Sequence, residues 1–133
     1  MDNITFYMNS TSCIFCELGK DRIVISNELA LGFRDNFPVT PLHTLIIPKR
    51  HIKDYFELTQ DEFIACNEII KQLKEDLTKK DPTIEGFNIG MNSGEVAGQT
   101  IFHCHIHLIP RRKGDVENPR GGIRHIIPGK GFY

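Results

Sequence analysis

Three histidines alternate with other residues in the segment Phe102–Ile109, and this pattern restricts the fold more than any other stretch of the chain. β-Branched and aromatic residues with a period of two predict a β-strand over the whole segment. The period places His103, His105 and His107 on one face of that strand. The other face takes the remaining side chains, namely Phe102, Cys104, Ile106 and Leu108. Histidine rarely fills a solvated strand face, so we favour a functional row of imidazoles over a plain surface stripe.

A row of imidazoles suits two kinds of chemistry. The first is attack on phosphorus through a transient phosphohistidine-type intermediate, because an imidazole near neutral pH is both a nucleophile and an acid or base. Charge developing on the phosphoryl oxygens needs donors, and Asn92, Gln99, Thr100 and the backbone of the Gly-bearing turn 93–98 lie nearby in sequence. The second is metal binding by the three histidines, or by His103 with a pair of cysteines. The residues alone leave both interpretations open.

A second motif, Cys13-Ile14-Phe15-Cys16, places two thiols at the CxxC spacing. Two thiolates at this spacing can hold one zinc ion from a tight turn, which leaves two tetrahedral positions for ligands elsewhere. The alternatives are structural thiols and a redox motif, but the strand-to-helix context of a thioredoxin-like motif is missing. The zinc and structural-thiol interpretations both stay open at this point.

Periodic segments elsewhere predict further strands and one long helix. Strands are expected over 22–26, 29–34, 43–48 and 87–92. The first two form a hairpin around Asn27-Glu28, and the third is apolar enough to be central. Thr59 and Glu62 form a capping box that begins the helix, and Lys79-Lys80-Asp81-Pro82 ends it. An apolar stripe is expected to pack the helix on the sheet, made of Phe63, Cys66, Ile70, Leu73 and Leu77.

Length and composition indicate one globular domain over 1–133. With 40% hydrophobic and 25% charged residues, a chain of 133 residues can bury a core without disulfides. A formal net charge of −1 gives no case for binding nucleic acid or a membrane by bulk electrostatics. Residues 1–12 lack the pattern of a signal peptide and are expected to be a loose leader, with 111–133 as a C-terminal tail. We therefore expect a cytoplasmic protein whose cysteines are thiols or metal ligands.

The stretch from His103 to Ile109 resembles the His-φ-His-φ-His-φ-φ signature of the histidine triad (HIT) family. Further motifs match in order and spacing over residues 13 to about 115, namely Cys13-Ile14-Phe15-Cys16, Phe33-Arg34-Asp35, the stretch from Pro41 to Ile52, and the stretch from Asn92 to Pro110. The resemblance implies an α+β fold with an antiparallel sheet of about five strands and one long helix, in a homodimer. It also implies hydrolysis or transfer of a nucleotide at its α-phosphate, through a nucleotidylated histidine.

The resemblance assigns roles by position. His105 matches the nucleophile that takes the nucleoside monophosphate, His107 would contact the phosphate and assist the leaving group, and His43 matches the supporting histidine. Asp35, eight residues before His43, matches the ribose-binding position. The remaining substrate contacts are expected from Asn92, Gln99 and Thr100 on the phosphate and from Phe33 on the base.

The resemblance also extends to a metal site. Zinc-bearing members use the CxxC, the histidine after the Pro-Lys segment and the first histidine of the triad. These positions correspond to Cys13, Cys16, His51 and His103. One structural Zn²⁺ per chain is therefore expected, because protein atoms fill all four positions.

The residues that follow the triad point to the substrate. Pro110-Arg111 and Gly114-Asp115 resemble the dinucleoside-polyphosphate hydrolases, so a purine dinucleotide such as a diadenosine polyphosphate is the first candidate. Three alternatives remain: hydrolysis of a nucleoside phosphoramidate, phosphorolysis with phosphate in place of water, and nucleotide binding without turnover.

Overall fold

A computed structural model of the chain describes residues 13–133, so the leader expected at 1–12 lies outside the described residues. Within this range the regular elements are five strands and one α-helix. They are β1 (Ile23–Ser26), β2 (Ala30–Arg34), β3 (Thr44–Pro48), α1 (Gln60–Lys80), β4 (Ile84–Gly90) and β5 (Ile106–Arg112). No helix in this part of the chain combines the length and the apolar character needed to cross a membrane.

The five strands form one sheet in the order β1-β2-β3-β5-β4, and each neighbouring pair is antiparallel. The predicted α+β class, with an antiparallel five-strand sheet and one long helix, is confirmed. Every residue of β3 is buried, as expected for a central strand with an apolar sequence. β5 lies between β3 and β4, so the strand that carries the end of the histidine motif has a partner on each side.

The predicted β1–β2 hairpin forms around Asn27-Glu28. The side-chain Oδ1 of Asn27 accepts the backbone N–H groups of Leu29 and Ala30, at 3.1 and 2.9 Å. An Asn side chain commonly mimics a backbone turn in this way. Its amide nitrogen also donates to the carbonyl oxygen of Ala65, which ties the hairpin to α1.

The capping box at the start of α1 is present as predicted. Thr59 Oγ1 accepts the backbone N–H of Glu62, and the Glu62 carboxylate accepts the backbone N–H of Thr59. Arg50 reinforces this cap with two contacts of 2.8 Å to the Glu62 carboxylate. This pair holds the pKa of the Glu62 carboxyl at about 2, well below its usual value.

The predicted apolar stripe of α1 is wrong at one position, Phe63, which is 44% exposed. Ile70 is partly buried and packs against the core cluster as predicted, and Ile69, which was not predicted, is buried beside it. Cys66, Leu73 and Leu77 are buried as predicted. At 3.6 residues per turn the buried face is centred near Ile69 and Leu73, and Phe63 lies roughly 90° away from that centre. Phe63 instead approaches the ring of Tyr55 at a centroid distance of 6.3 Å.

The two faces of the sheet bury different sets of residues. The larger apolar cluster lies between α1 and the face of the sheet that it covers. The sheet and the helix together contribute Ala30, Ile46, Ala65, Cys66, Ile69, Leu73, Leu77, Ile84, Ile106 and Leu108. The opposite face carries a smaller cluster of Phe15, Phe33, Leu45 and Ile47. Successive residues of β3 alternate between the two clusters, as the period of a strand requires. The smaller cluster supports the candidate site.

The histidine segment is only partly a strand. β5 begins at Ile106 rather than at Phe102, and it continues past Ile109 to Arg112. The residues before β5 do not take part in the hydrogen bonding of the sheet. The backbone N–H of Cys104 instead donates to the carbonyl oxygen of Ile52 at 2.7 Å. Alternation still holds for the buried side chains Cys104, Ile106 and Leu108, but Phe102 is 45% exposed. The strand predicted from Phe102 therefore begins four residues too early, and half-exposed Phe102 lies outside it.

β4 also differs from the predicted 87–92. It begins at Ile84, directly after a turn in which the backbone N–H of Ile84 donates to the carbonyl oxygen of Asp81. It ends at Gly90, which pairs with His107 of β5. The C-terminal tail likewise begins later than 111, because Arg112 still belongs to β5, and it contains a 3₁₀ turn over Gly122–Ile126.

Candidate active site and metal cluster

One ring nitrogen of His105 has a free lone pair. Its Nδ1 lies 2.8 Å from the backbone carbonyl oxygen of His103. A carbonyl oxygen only accepts, so Nδ1 carries the proton and a neutral His105 has its lone pair on Nε2. The ring packs edge-on against Phe15 and His107, at centroid distances of 5.2 and 5.3 Å. The backbone therefore sets the tautomer of this ring and leaves the Nε2 lone pair available to attack an electrophile or accept a hydrogen bond.

The tautomers of His43 and His107 follow from a single backbone donor. The N–H of Val39 donates to His43 Nδ1 at 3.1 Å, so the proton of a neutral His43 is on Nε2. His43 Nε2 lies 2.9 Å from His107 Nδ1 and must donate to it. A neutral His107 consequently carries its proton on Nε2. This arrangement leaves His107 with an N–H donor for a partner outside the protein chain.

Burial keeps both of these histidines neutral. The pKa of His107 falls to about 4 because of burial, reinforced by the neighbouring His105 and His43. Burial also lowers the pKa of His43, which is 3% exposed, although the Asp35 carboxylate opposes that shift. At neutral pH the pair therefore acts as a chain of hydrogen bonds rather than as a charged group.

A cavity of about 250 Å³ opens in front of His105 and His107. Its apolar walls are formed by Ile14, Phe15, Phe33, Phe37, Leu45 and Ile101. Its polar lining is formed by Asp35, Asn36, Asn92 and Thr100, with Gly98 contributing backbone. A concave site with an apolar part and a few convergent polar groups suits a small molecule that carries both a ring system and a charged group.

Asp35 lies at the mouth of this cavity and serves two neighbours. Its Oδ1 accepts the backbone N–H of Phe37 at 2.8 Å, which fixes the loop after β2. Its Oδ2 lies 3.5 Å from His43 Nε2, and the side chain is 16% exposed. One carboxylate oxygen is thus committed to the loop, while the other stays near the histidines and the cavity.

Gln99 holds the loop between β4 and the histidine segment in place and does not line the cavity. The Gln99 side chain is 2% exposed and does not reach the cavity. Its amide nitrogen donates to the carbonyl oxygens of Lys53 and Ile101, and its amide oxygen accepts the N–H of Gly94. Gly94 and Gly98 both have φ of 97°, which favours glycine. Of the phosphate donors predicted from the sequence, Asn92, Thr100 and the turn at Gly98 do reach the cavity.

The four residues predicted as zinc ligands come together. Cys13, Cys16, His51 and His103 each offer a donor atom, and these atoms all lie within 4.8 Å of one another. His103 Nδ1 is 3.5 Å from the sulfur of Cys13 and 3.5 Å from that of Cys16, and His51 Nδ1 is 3.2 Å from Cys16 Sγ. Tetrahedral zinc, with bonds of about 2.3 Å to sulfur and about 2.05 Å to nitrogen, separates such donors by roughly 3.6 Å.

The hydrogen bonding of His103 also fits a metal ligand. Its Nε2 lies 2.8 Å from the carbonyl oxygen of Pro48, so Nε2 is protonated and the lone pair of Nδ1 points to the sulfurs. A metal-bound histidine usually has its second nitrogen engaged in this way. The Cys2His2 donor set therefore fits a closed structural zinc site.

A second group of donors, Asp35, His43 and His107, also lies within 4.8 Å of one another. It fits a metal poorly, because His43 could bind through Nε2 only by placing a proton on Nδ1. That proton would face the N–H of Val39, which already donates to Nδ1. The group is better described as a hydrogen-bonded relay.

Sequence reasoning missed several lining residues. Ile14 and Phe15 lie inside the CxxC motif yet line the cavity, and Phe37 lines it from the loop after β2. The signal for the first two was their apolar character between two cysteines, where a surface turn is usually polar. Nothing in the local pattern distinguishes Phe37, which is 86% exposed.

A second cavity, of about 410 Å³, adjoins the first and shares Asn92 and His107 with it. Its wall is mainly apolar, with Val39, Ile89, Met91, Ile109, Ile123 and Ile126. No lysine or arginine lines either cavity within residues 13–133. Arg111 and Arg112, which follow the histidine segment, are paired instead with Asp115 and Asp81.

An antiparallel sheet flanked by one helix, with alternating histidines leading into an inner strand, defines the histidine-triad class of domain. Comparison with known proteins gives the same result. The profile of the HIT domain matches residues 19–114, and the chain belongs to the HIT family. An uncharacterised HIT-like protein of Mycoplasma genitalium is 40% identical over 108 residues, which are 77% of this chain and 74% of that protein.

Solved structures share the fold. A zinc-bound histidine triad family protein of Mycobacterium smegmatis has a TM-score of 0.74 at 32% identity, over 83% of this chain and 82% of that one. The diadenosine triphosphate hydrolase of Plasmodium falciparum has a TM-score of 0.70 at 31% identity, over 76% of this chain and 68% of that one. The chain therefore has the fold of a family that includes nucleotide-binding proteins and hydrolases.

Proposed function

We propose that the chain is a nucleotide hydrolase that cleaves its substrate at the α-phosphate through a nucleotidylated His105. One observation carries the proposal: His105 Nε2 is a free lone pair while its Nδ1 is held by the His103 carbonyl, at the polar end of a cavity with apolar walls. A nucleoside would occupy the apolar part, and its phosphate would meet Asn92, Thr100 and the backbone at Gly98.

The reaction follows from the two tautomers. In the first step Nε2 of His105 forms a bond to the α-phosphorus, and the bond from phosphorus to the leaving oxygen breaks. The positive charge that develops on His105 is stabilised by the hydrogen bond from Nδ1 to the His103 carbonyl. In the second step the oxygen of a water forms a bond to the same phosphorus and the bond from phosphorus to Nε2 breaks. His105 regains its lone pair, the proton lost by the water passes to solvent, and a nucleoside monophosphate is released. Nε2–H of His107 would donate a hydrogen bond to a phosphoryl or leaving oxygen in both steps.

The state of His107 bears on the leaving group. With a pKa of about 4 it is neutral at pH 7, so it offers a hydrogen bond rather than a readily transferred proton. A polyphosphate leaves without full protonation, whereas an amine requires it. This favours a dinucleoside polyphosphate such as a diadenosine polyphosphate as substrate, and the likeness to a diadenosine triphosphate hydrolase supports it.

A nucleoside phosphoramidate is the second candidate substrate. The cavity beyond His107 has a mainly apolar wall and no lysine or arginine lining it among the described residues, and a long polyphosphate would find no cation there. An apolar amine would suit that wall better. The two substrate classes thus share the attack by His105 and differ in the leaving group, both in its need for a proton and in how it would fit this second cavity.

We also propose that each chain binds one Zn²⁺ through Cys13, Cys16, His51 and His103. The ion would supply structural support, because protein atoms take all four positions.

We propose in addition that the chain forms a homodimer. Within the described residues β4 is an edge strand, with Ile89 51% exposed, and such an edge is a template for pairing with a second copy.

The test is a substrate panel with a covalent readout. Diadenosine polyphosphates and adenosine phosphoramidates are compared with and without added phosphate, and the protein is quenched without acid for mass spectrometry. We expect a mass increase of one nucleoside monophosphate in the wild type and none in His105→Asn. A wild type that turns over no member of the panel and never gains this mass would leave nucleotide binding without catalysis as the function.

A further inference from the structure

The CxxC turn carries part of the nucleotide cavity as well as two of the metal ligands. Ile14 and Phe15 lie between Cys13 and Cys16, and both line the cavity in front of His105. Ile14 is 60% exposed, whereas Phe15 is 7% exposed and belongs to the apolar cluster beneath the cavity. A single turn of four residues thus connects the two sites.

Phe15 makes the direct contact between them. Its ring meets the ring of Phe33, a cavity wall, at 5.2 Å, and the ring of the nucleophile His105 at 5.2 Å. It also approaches the ring of the metal-ligand residue His103 at 6.0 Å. Edge-to-face contacts of this kind depend on the orientation of both rings. A shift of the turn would therefore disturb a wall of the cavity and the packing of the nucleophile together.

The turn is fastened to the rest of the chain mainly through its sulfurs. Within residues 13–133, every hydrogen bond between the Cys13–Cys16 turn and the rest of the chain joins a cysteine sulfur to the imidazole of His51 or His103. Cys16 N–H bonds only inside the turn, to Cys13 Sγ at 3.4 Å. What holds the turn is therefore the donor cluster and the burial of Phe15.

A second route runs through the backbone of His103. The side chain of this residue belongs to the donor cluster, and its carbonyl oxygen holds Nδ1 of His105. The position of that carbonyl depends on where the His103 ring is fixed. The cluster consequently affects the nucleotide site from two directions, through Phe15 and through this carbonyl.

We propose that zinc and the nucleotide bind with positive linkage, so that each raises the affinity for the other, and that Phe15 transmits most of the effect. The inference rests on the proposed function, because it takes a nucleotide as the ligand of the cavity. By reciprocity the factor must be the same in both directions. We expect it to lie within the usual range for two coupled sites, about 5- to 150-fold.

The experiment measures one factor in two ways, with AMP as the nucleotide. Calorimetry gives the AMP dissociation constant of the full chain with zinc and after removal of zinc by a chelator. Competition with a chromogenic chelator gives the zinc affinity with and without saturating AMP. We expect the two factors to agree and to be at least about fivefold.

Phe15→Leu and Phe37→Leu form a matched pair, because both phenylalanines line the same cavity but only Phe15 is in the turn. In Phe37→Leu, AMP affinity should fall by the same factor with and without zinc, and the linkage should be retained. In Phe15→Leu, whatever the change in zinc affinity itself, the ratio of AMP affinities with and without zinc should fall toward onefold.

Each alternative result has a definite meaning. AMP binding with equal affinity to zinc-loaded and zinc-free protein would overturn the linkage and leave the proposed function intact. Full linkage in Phe15→Leu would overturn the role of Phe15. Failure of the zinc-loaded wild type to bind AMP at all would refute the proposed function and the linkage together.

Discussion

The neutral state of His107 makes the stability of the fold depend on pH, and His107→Asn should remove that dependence. In the folded chain the pKa of His107 is about 4, against 6.5 for an unperturbed histidine. Between these two pKa values, His107 is protonated in the unfolded chain and neutral in the folded chain. Stability from this group is fully present above pH 6.5 and is lost as the pH falls toward 4.

The magnitude follows from the two pKa values. A shift from 6.5 to about 4, at 1.36 kcal/mol per unit, corresponds to about 3 kcal/mol when the pH falls below both values. Between pH 7 and pH 5 the loss from this one group is about 2 kcal/mol. This is a large part of the 5–15 kcal/mol that is typical of a domain.

The assay is urea unfolding followed by far-UV circular dichroism at pH 7 and pH 5, on wild type and His107→Asn. The wild type and the variant share every other ionisable group, so only the difference between the two pH effects is assigned to His107. We expect the wild type to lose about 2 kcal/mol more than the variant. His125→Asn, which removes an exposed histidine, is the control for the loss of an imidazole. Equal losses in wild type and His107→Asn would show that His107 is not held neutral by its surroundings.

Three other substitutions separate chemistry, recognition and loop structure. His105→Asn should keep the AMP affinity within a few-fold and lower kcat by several orders of magnitude, measured by steady-state hydrolysis, because covalent catalysis has no substitute; near-wild-type hydrolysis would contradict the mechanism. Asp35→Ala should weaken AMP but not its 2′,3′-dideoxy analogue in calorimetry, since a carboxylate–hydroxyl bond contributes about 1.5–3 kcal/mol; equal losses would mean that Asp35 only fixes its loop. Gln99→Leu leaves buried backbone groups unpaired and should cost about 3 kcal/mol in urea unfolding; an unchanged midpoint would show that Gln99 does not hold the loop.

Segments with a strong local pattern were predicted well. The capping box of Thr59 and Glu62 and the turn at Asn27 are local hydrogen-bonding devices, so the sequence next to them is sufficient. The apolar run of β3 is long enough to mark a central strand. The predictions that were wrong depend on partners distant in sequence. Phe102 was placed in the strand because its neighbours alternate, whereas the backbone of Cys104 bonds to the carbonyl oxygen of Ile52, outside the sheet.

The positions of the candidate site residues were also predicted correctly only where a sequence motif identifies them. Family resemblance brought Cys13, Cys16, His51 and His103 into one donor set, and the fold places them together. No sequence motif predicts the position of Gln99. Its three hydrogen bonds go to backbone groups, including the carbonyl of Lys53, that the sequence does not mark as partners. Residue type alone made Gln99 resemble a phosphate donor, but burial makes it a support for the loop.

The choice between nucleophile and hydrogen-bond donor among the histidines is made by main-chain groups. His105 is held by the carbonyl of His103 and therefore has its lone pair on Nε2. Nδ1 of His107 accepts a hydrogen bond from Nε2–H of His43, whose tautomer is set by the N–H of Val39, so His107 carries its own proton on Nε2. Two neighbouring imidazoles thus present opposite functions toward one cavity, one as a lone pair and one as an N–H. A backbone carbonyl fixes the tautomer of His105 directly, whereas the backbone N–H of Val39 acts on His107 through the His43 side chain. Substitution of His43 should therefore release the tautomer of His107 and leave that of His105 unchanged.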